Sequence, residues 1–176
     1  MRSARTRVLE TATLLFYLEG IHTVGVDRVI ADAGVAKATF YHHFKSKEEL
    51  VVAYLATEYE RQRELFGGVP GDGVERIETI LAKLAEVSVG PGFRGCPFLN
   101  AAAEFADPGH PVRHLVDDYR AWYRDLMRDI LVAAGRSDVD QKADLLLLVR
   151  DGIAVAGGLG DKAAVEAGVR TALAGL

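Results

Sequence analysis

Polar side chains that could bind a polyanion follow a glycine turn near the start of the chain. Apolar spacing predicts short helices over residues 26–33 and 37–43, with a glycine-containing turn at residues 34–36. Such a helix-turn-helix can place its second helix in the major groove of DNA. Small side chains there allow close approach, while hydroxyl groups and cations contact bases and phosphates. The residues predicted to bind DNA are Lys37, Ala38, Thr39, Tyr41, His42 and Lys47.

The charge distribution is compatible with DNA binding but does not require it. Residues 1–47 hold seven Lys or Arg and four Asp or Glu, although the whole chain has a net charge of -4. A slightly basic segment on an acidic chain suits a small footprint on an anionic polymer. The same helices could also form a hairpin inside a bundle that never contacts DNA. Pattern and charge alone leave both interpretations open.

A second segment combines polar and small residues in a way that could form a ligand pocket. Residues 93–105 read FRGCPFLNAAAEF, and Asn100 and Glu104 are spaced to share one helix face. Small alanines would leave volume, and aromatic side chains of a following helix would form the opposite wall. Ordinary core packing is the alternative. The residues predicted to bind a ligand are Cys96, Phe98, Asn100, Ala103, Glu104, Tyr119, Trp122 and Tyr123.

The single cysteine has two interpretations, and no catalytic or metal-binding motif stands out. Cys96 could be a reactive sensor or, as is usual for free cysteines, a buried apolar side chain. His110 and His114 have i, i+4 spacing, but Pro111 places His110 outside the regular helix. No nucleophile motif, phosphate-binding glycine loop or HExxH pattern occurs. The sequence therefore predicts a protein that is not an enzyme and needs no metal or cofactor.

The elements that must position these residues are all helical. Apolar residues recur at a 3.6-residue period along the chain, and no strand-like alternation is found. Glycine and proline clusters divide the pattern into about nine helices, so the predicted fold class is all-α. We predict a helix-turn-helix DNA-binding domain over residues 1–47. Residues 48–176 are predicted to form a helical ligand-binding and dimerisation domain.

The last two predicted helices, residues 138–176, are unusually apolar. Residues 144–158 carry hydrophobic side chains on more than one face, and in a small bundle a partner subunit is the natural cover for them. Arg150, Asp151 and three glycines interrupt this run, so it does not predict a membrane span. We therefore expect a cytoplasmic homodimer that forms through these helices and does not contact a membrane.

Residues 34–50, GVAKATFYHHFKSKEEL, resemble the DNA-binding segment of the tetracycline-repressor (TetR) family of bacterial transcriptional regulators. The GCPF stretch at residues 95–98 is similar to one found in some of these regulators. The resemblance implies a homodimer that binds a near-palindromic double-stranded DNA operator through the helix at residues 37–43. It also implies a repressor whose helical body binds an unknown small-molecule effector that releases the DNA. A constitutive DNA-binding or protein-interaction protein with a vestigial pocket is the alternative.

Overall fold

The computed structural model describes residues 2–176, and this part of the chain forms nine α-helices without a β-strand. The prediction of an all-α fold is therefore confirmed. None of these helices is both long and apolar enough to cross a membrane. The helices are α1 (Ala4–Glu19), α2 (Val26–Ala33), α3 (Lys37–His43), α4 (Lys47–Gly67), α5 (Gly73–Ser88), α6 (Pro97–Glu104), α7 (Pro111–Ala133), α8 (Val139–Gly158) and α9 (Lys162–Ala174).

Helices α1 to α3, called the head below, form a three-helix unit. Helix α2 ends at Gly34, which takes the left-handed conformation with φ 61° and ψ 44°. Glycine adopts this conformation without steric cost, so the chain can leave α2 and turn sharply into α3. Val8, Phe16 and Phe40 are buried where the three helices meet, which leaves the opposite side of α3 exposed.

Helix α4 leads from the head into the body, which consists of α5 to α9. Its first turn is capped by Ser46, whose Oγ accepts a hydrogen bond of 3.1 Å from the Glu49 backbone N–H. The Glu49 carboxylate accepts from the backbone N–H of Lys45, at 2.7 Å, rather than from that of Ser46. Two otherwise free N–H groups are thus satisfied, as in a capping box shifted by one residue.

Two buried clusters hold the helices together. One contains side chains from α1 to α4 together with Phe98 of α6 and Tyr119 of α7, so the head and the body share a core. The other joins α4 and α5 with α7, α8 and α9. The backbone of α8 lies close to α5. A Cβ atom added at Gly157 would be only 2.5 Å from the Ser88 carbonyl oxygen. These contacts fix α1, α4, α5 and α8 around a common space.

Candidate nucleic-acid interface and internal cavity

Most of the residues predicted to bind DNA lie on the exposed side of α3. Lys37, Ala38, Tyr41 and His42 are exposed, whereas Thr39 is half-buried. Lys37 donates a hydrogen bond of 3.0 Å from Nζ to the Asp27 carboxylate of α2. Because this pair is open to water, a phosphate group can replace the carboxylate at little cost. The surface is therefore accessible to a polyanion.

The end of α3 is stabilised by a lysine that the sequence prediction did not include. Lys45 donates from Nζ to the carbonyl oxygens of Tyr41 and His42, at 3.2 and 3.3 Å. A cation is favourable at this position because the last carbonyl groups of a helix lack intrahelical partners. The signal in the sequence is a lysine two residues after the last helical residue. Lys45 therefore helps to hold the exposed side chains of α3 in place.

Lys47 differs from the other residues of the predicted DNA-binding set. It is half-buried at the start of α4, and its Nζ lies 3.4 Å from the backbone oxygen of His22. Burial lowers the pKa of Lys47, and the nearby Glu104 carboxylate partly offsets this effect. The structure thus places Lys47 beside the loop between α1 and α2, at the edge of the exposed α3 surface.

A cavity of about 350 Å³, open to solvent on the side of Leu14 and Val87, lies between α1, α4, α5, α8 and the loop that precedes α6. This volume is within the range of small-molecule sites in proteins. The lining combines apolar side chains with a few polar groups, and one wall comes from the head itself. Lining residues include Leu14 and Tyr17 of α1, Tyr54 of α4, Phe93 and Cys96 of the loop, and Arg150 of α8.

Of the eight residues predicted to bind a ligand, Cys96 alone is in the lining of this cavity. Phe98 and Tyr119 are buried and stack face to face with ring centres 3.8 Å apart. Tyr123 is also buried, and its hydroxyl has no hydrogen-bond partner among residues 2–176. Trp122 packs half-buried beside these tyrosines. These four aromatic side chains form part of the core behind the cavity wall.

The remaining three predicted residues, Asn100, Ala103 and Glu104, make different contacts. Asn100 donates from Nδ2 to the Arg94 carbonyl oxygen at 2.9 Å, and Ala103 is exposed. The Glu104 carboxylate accepts hydrogen bonds from the backbone N–H groups of Ile21 and His22, at 2.9 and 2.6 Å. Asn100 and Glu104 therefore do not meet at a pocket. Glu104 instead fastens the end of α6 to the head.

Arg150 of α8 is the main polar group of the cavity that the sequence analysis missed. Its side chain is only 3% exposed, and Nη2 donates to Sγ of Cys96 and to the hydroxyl of Tyr119, each at 2.8 Å. Nη1 lies 2.7 Å from the Asp151 carboxylate. Burial disfavours the charge, but Cys96, Tyr119 and Asp151 outweigh it and keep the pKa of Arg150 above its ordinary value. The sequence signal that could have identified it is an arginine within an apolar run. Such an arginine is expected to be buried, and a buried charge needs polar partners.

A tyrosine of the head is tied to the loop that lines the cavity. The hydroxyl of Tyr17 donates to the carbonyl oxygen of Gly95 at 3.0 Å. It also accepts a hydrogen bond of 2.9 Å from the backbone N–H of Arg94. Helix α1 is therefore connected to the body at both the cavity loop and, through Glu104, the end of α6.

Comparison with known proteins agrees with this architecture. Residues 8–54 match the sequence model of the bacterial regulatory proteins of the TetR family. Residues 73–171 match the model of the tetracycline repressor-like C-terminal domain. The first match covers the head and the start of α4, and the second covers most of the body. Together, the two matches include the exposed α3 surface and most of the helices around the cavity.

Individual relatives give the same result. A TetR-family transcriptional regulator from Streptomyces coelicolor is 38% identical, with a TM-score of 0.89 over 98% of this chain and 95% of that one. A TetR regulator from Chloroflexus aurantiacus is 28% identical, with a TM-score of 0.85 over 97% and 92% of the two chains. The uncharacterized HTH-type regulator YxaF of Bacillus subtilis is 28% identical over 73% of this chain and 70% of its own. As predicted, these relatives are regulators rather than enzymes. The chain belongs to the TetR family of bacterial DNA-binding transcriptional regulators.

Proposed function

We propose that this protein is a repressor that binds a near-palindromic operator as a homodimer and releases it when a small molecule enters the cavity. The observation that carries the proposal is the shared wall, because Leu14 and Tyr17 of the head line the same cavity as Arg150 of the body. A ligand in this space would contact both the DNA-binding unit and the effector-binding unit. Occupancy can then change the position of the head.

The exposed side of α3 is the proposed DNA-reading surface. Ala38 and Thr39 would approach the base edges, while Lys37, Tyr41 and His42 would contact bases or phosphates. Lys47 would contact the backbone from the start of α4, where exposed N–H groups also favour phosphate. In a dimer, two such helices would enter successive major grooves roughly 34–36 Å apart. Such a dimer would require a near-palindromic operator.

The proposed dimer interface is an apolar stripe along α8 and the adjoining face of α9. Leu145, Leu148, Val155 and Leu159 are exposed and follow helical spacing, and Leu148 is 64% exposed. Such a stripe on a small bundle is typical of an interface with another subunit. Gly152 lies between Leu148 and Val155, where its lack of a side chain permits close approach. A second copy of this chain is the partner that the stripe fits.

Two connections would carry the effect of a ligand to the head. Tyr17 joins α1 to the loop at Arg94 and Gly95, and Glu104 joins α6 to the backbone at Ile21. Helix α4 also lines the cavity and is joined to α3 by a short loop. A ligand releases DNA only if it binds one arrangement of these helices better than the other. Its differential affinity sets the size of the response.

The first experiment is selection of DNA from a random library with purified protein. We expect an inverted repeat to be enriched, and we expect Tyr41→Ala and His42→Ala to abolish or strongly reduce that enrichment. The matched control is His114→Ala, which removes an exposed histidine from α7 of the body. Residual binding that has no sequence preference and weakens steadily with salt would contradict operator recognition.

The oligomeric state is tested separately by sedimentation equilibrium at micromolar concentration. Leu148→Asp should convert the dimer to a monomer, because it places a charge in the centre of the proposed apolar interface. The control is Val132→Asp, which changes an exposed apolar residue of α7 in the same way. A monomeric wild-type protein would overturn the proposed dimer. If operator binding occurs without any release by ligands, the protein is instead a constitutive repressor with a vestigial pocket.

A further inference from the structure

We infer that the cavity selects organic anions with an apolar body, and that Arg150 is the counter-ion for their acidic group. This inference rests on the proposed function, since it names the chemical class of the effector that the same cavity would bind. The arrangement of charges around α8 is the observation from which it starts. The ligand class follows from an excess of positive charge at Arg150 in an otherwise largely apolar space.

Two guanidinium groups share a single carboxylate beside the cavity. Nη1 of Arg150 lies 2.7 Å from Oδ1 of Asp151, and Nη1 of Arg120 contacts the other oxygen of the same carboxylate. Neither arginine has another acidic partner among residues 2–176. Asp151 is 17% exposed and Arg150 only 3%, so bulk water screens this group poorly. The cluster therefore carries one more positive than negative charge, with Arg150 buried and Arg120 28% exposed.

The other charges in the lining do not balance this excess. Glu10 is paired with Arg2 at 2.8 Å, and Glu58 with Arg61 at 2.7 Å, so each acid already has its own cation. Lys83 adds a further positive charge and has no acidic partner in the described part of the chain. The field inside the cavity therefore favours an anion over a cation or a neutral molecule.

Arg150 also has hydrogen-bonding capacity that the protein leaves unused. Nη2 donates to Cys96 and Tyr119, whose thiol and hydroxyl groups are acceptors without a fixed charge. The Nε–H is buried and has no partner among residues 2–176. A buried donor without a partner is costly, and a guanidinium fork suits the oxygens of an acidic group. An anion bound at Arg150 would offset the unbalanced charge, and one that reaches Nε would also satisfy the unpaired donor.

The remainder of the lining sets the character of the ligand body. Leu14, Leu84, Val87, Phe93 and Ile153 contribute apolar side chains around the space. Binding therefore buries an apolar body of the ligand, which is favourable in proportion to the area removed from water. The expected ligand is amphiphilic, with a hydrophobic ring system or chain and one acidic group directed at Arg150.

A matched pair of fluorescent probes tests the inference without knowledge of the natural effector. 1-Anilinonaphthalene-8-sulfonate and N-phenyl-1-naphthylamine share one apolar body, and only the former carries an acidic group. Both are titrated into wild-type protein and Arg150→Met. We expect the variant to lower the affinity for the sulfonate at least about tenfold, and that for the neutral probe less than about threefold. The change in the ratio of the two affinities, sulfonate to neutral probe, isolates the contribution of the charge.

Two further variants separate Arg150 from general effects of charge and folding. Lys83→Met removes a half-buried cation from the same lining, and we expect less than about a threefold change in sulfonate affinity. Arg150→Lys keeps the charge but loses the planar fork, so its affinity should lie between those of the wild type and Arg150→Met. Arg120 remains available to pair with Asp151 in both Arg150 variants. Far-UV circular dichroism and thermal midpoints establish that each variant is folded.

Competition extends the test from sulfonates to carboxylates. 2-Naphthoate should displace the bound sulfonate probe at concentrations at least about tenfold lower than 2-naphthamide, which has nearly the same shape without the charge. Equal displacement by the two compounds would overturn the inference, as would unchanged sulfonate binding in Arg150→Met. An equal loss in Lys83→Met would also overturn it by showing that overall charge is responsible. DNA release is measured independently, so anion binding without release would contradict the proposed function alone.

Discussion

The protein holds two kinds of ion pair, and their surroundings differ sharply. On the head, Lys37 and Asp27 pair with side chains that are 64% and 82% exposed. In the body, Arg150 and Asp151 pair with side chains that are 3% and 17% exposed. Water and salt weaken the first pair, so its lysine can exchange a carboxylate for a phosphate. The second pair is almost dry, and Arg150 can change partner only if the new one also compensates its charge.

This contrast would give one small chain both a permissive and a selective surface. The exposed cation of α3, Lys37, would add affinity for any DNA, and sequence preference would then come from groups that reach the bases. A buried guanidinium penalises every occupant of the cavity that leaves it unbalanced. We therefore expect substitutions in the body interior to affect folding and ligand selection, and those on the head surface to affect DNA binding alone.

The largest effect on stability is expected where α8 meets α5. In Gly157→Ala the new methyl group would lie 2.5 Å from the Ser88 carbonyl oxygen and 2.6 Å from its Cβ, so the helices must separate. We expect a loss of about 3 kcal/mol in the free energy of unfolding, measured by urea denaturation. The control Gly168→Ala has no neighbouring atom within 4 Å and should stabilise α9 by up to ~1 kcal/mol. Similar values for the two variants would show that the interior is not closely packed.

The next largest effect on stability is expected at Tyr119, which lies one helical turn before Tyr123 on α7. Tyr119 bonds with both Arg150 and Gln62, whereas the Tyr123 hydroxyl has no partner among residues 2–176. Tyr119→Phe should lower the free energy of unfolding by about 1–3 kcal/mol, because buried polar groups lose their partner. Tyr123→Phe should leave stability unchanged or raise it. A larger loss in Tyr123→Phe than in Tyr119→Phe would contradict the arrangement around Arg150.

The same interior predicts a loss of stability in alkali. Burial raises the pKa of Tyr54, Tyr119 and Tyr123, so the folded state holds their protons more tightly than the unfolded chain does. Stability should be fully present below about pH 10 and fall as the pH rises above the ordinary pKa of tyrosine. The urea midpoint of the wild type, measured from about pH 8 to about pH 11, should show this decline. In Tyr123→Phe this decline should be less steep. A urea midpoint that does not change with pH would contradict a role of the buried tyrosines.

The smallest effect on folding is expected from Lys37→Ala at the exposed pair on the head. Since the pair is open to water, the thermal midpoint should not change measurably. DNA affinity should fall for all sequences, and the slope of log affinity on log salt should become shallower by about one per subunit. Arg136→Ala, which removes an exposed cation from the loop between α7 and α8, is the control. A shift in the thermal midpoint of Lys37→Ala with unchanged DNA affinity would contradict this expectation.

The head could be predicted closely because its signals are local. Gly34 can end α2 whatever packs against the helix, because glycine adopts the left-handed conformation without steric cost. The bounds of α2 and α3 agree with those predicted from apolar spacing. The side of α3 that is exposed follows from the burial of Phe40 on the other side. Sequence spacing therefore suffices to indicate which residues could face DNA, and the resemblance to the TetR family adds the expectation that they do.

The cavity could not be predicted in the same way because its wall combines distant segments. Tyr17 and Arg150 are 133 residues apart, and no periodicity relates them. Spacing placed Asn100 and Glu104 on one helix face, but it could not show that the backbone of the α1–α2 loop, at Ile21, binds the Glu104 carboxylate. An i, i+4 relation fixes the direction of side chains but not the element that packs against them.

The sequence by itself determined the helical fold, the turn at Gly34 and the family to which the chain belongs, because these depend on local spacing and on a contiguous motif. The tertiary structure alone decided that Arg150 and Arg120 share Asp151, and that helix α1 of the head forms a wall of the cavity. The physical reason is that burial and charge balance are properties of packed neighbours. They arise only when segments far apart in the chain exclude water together.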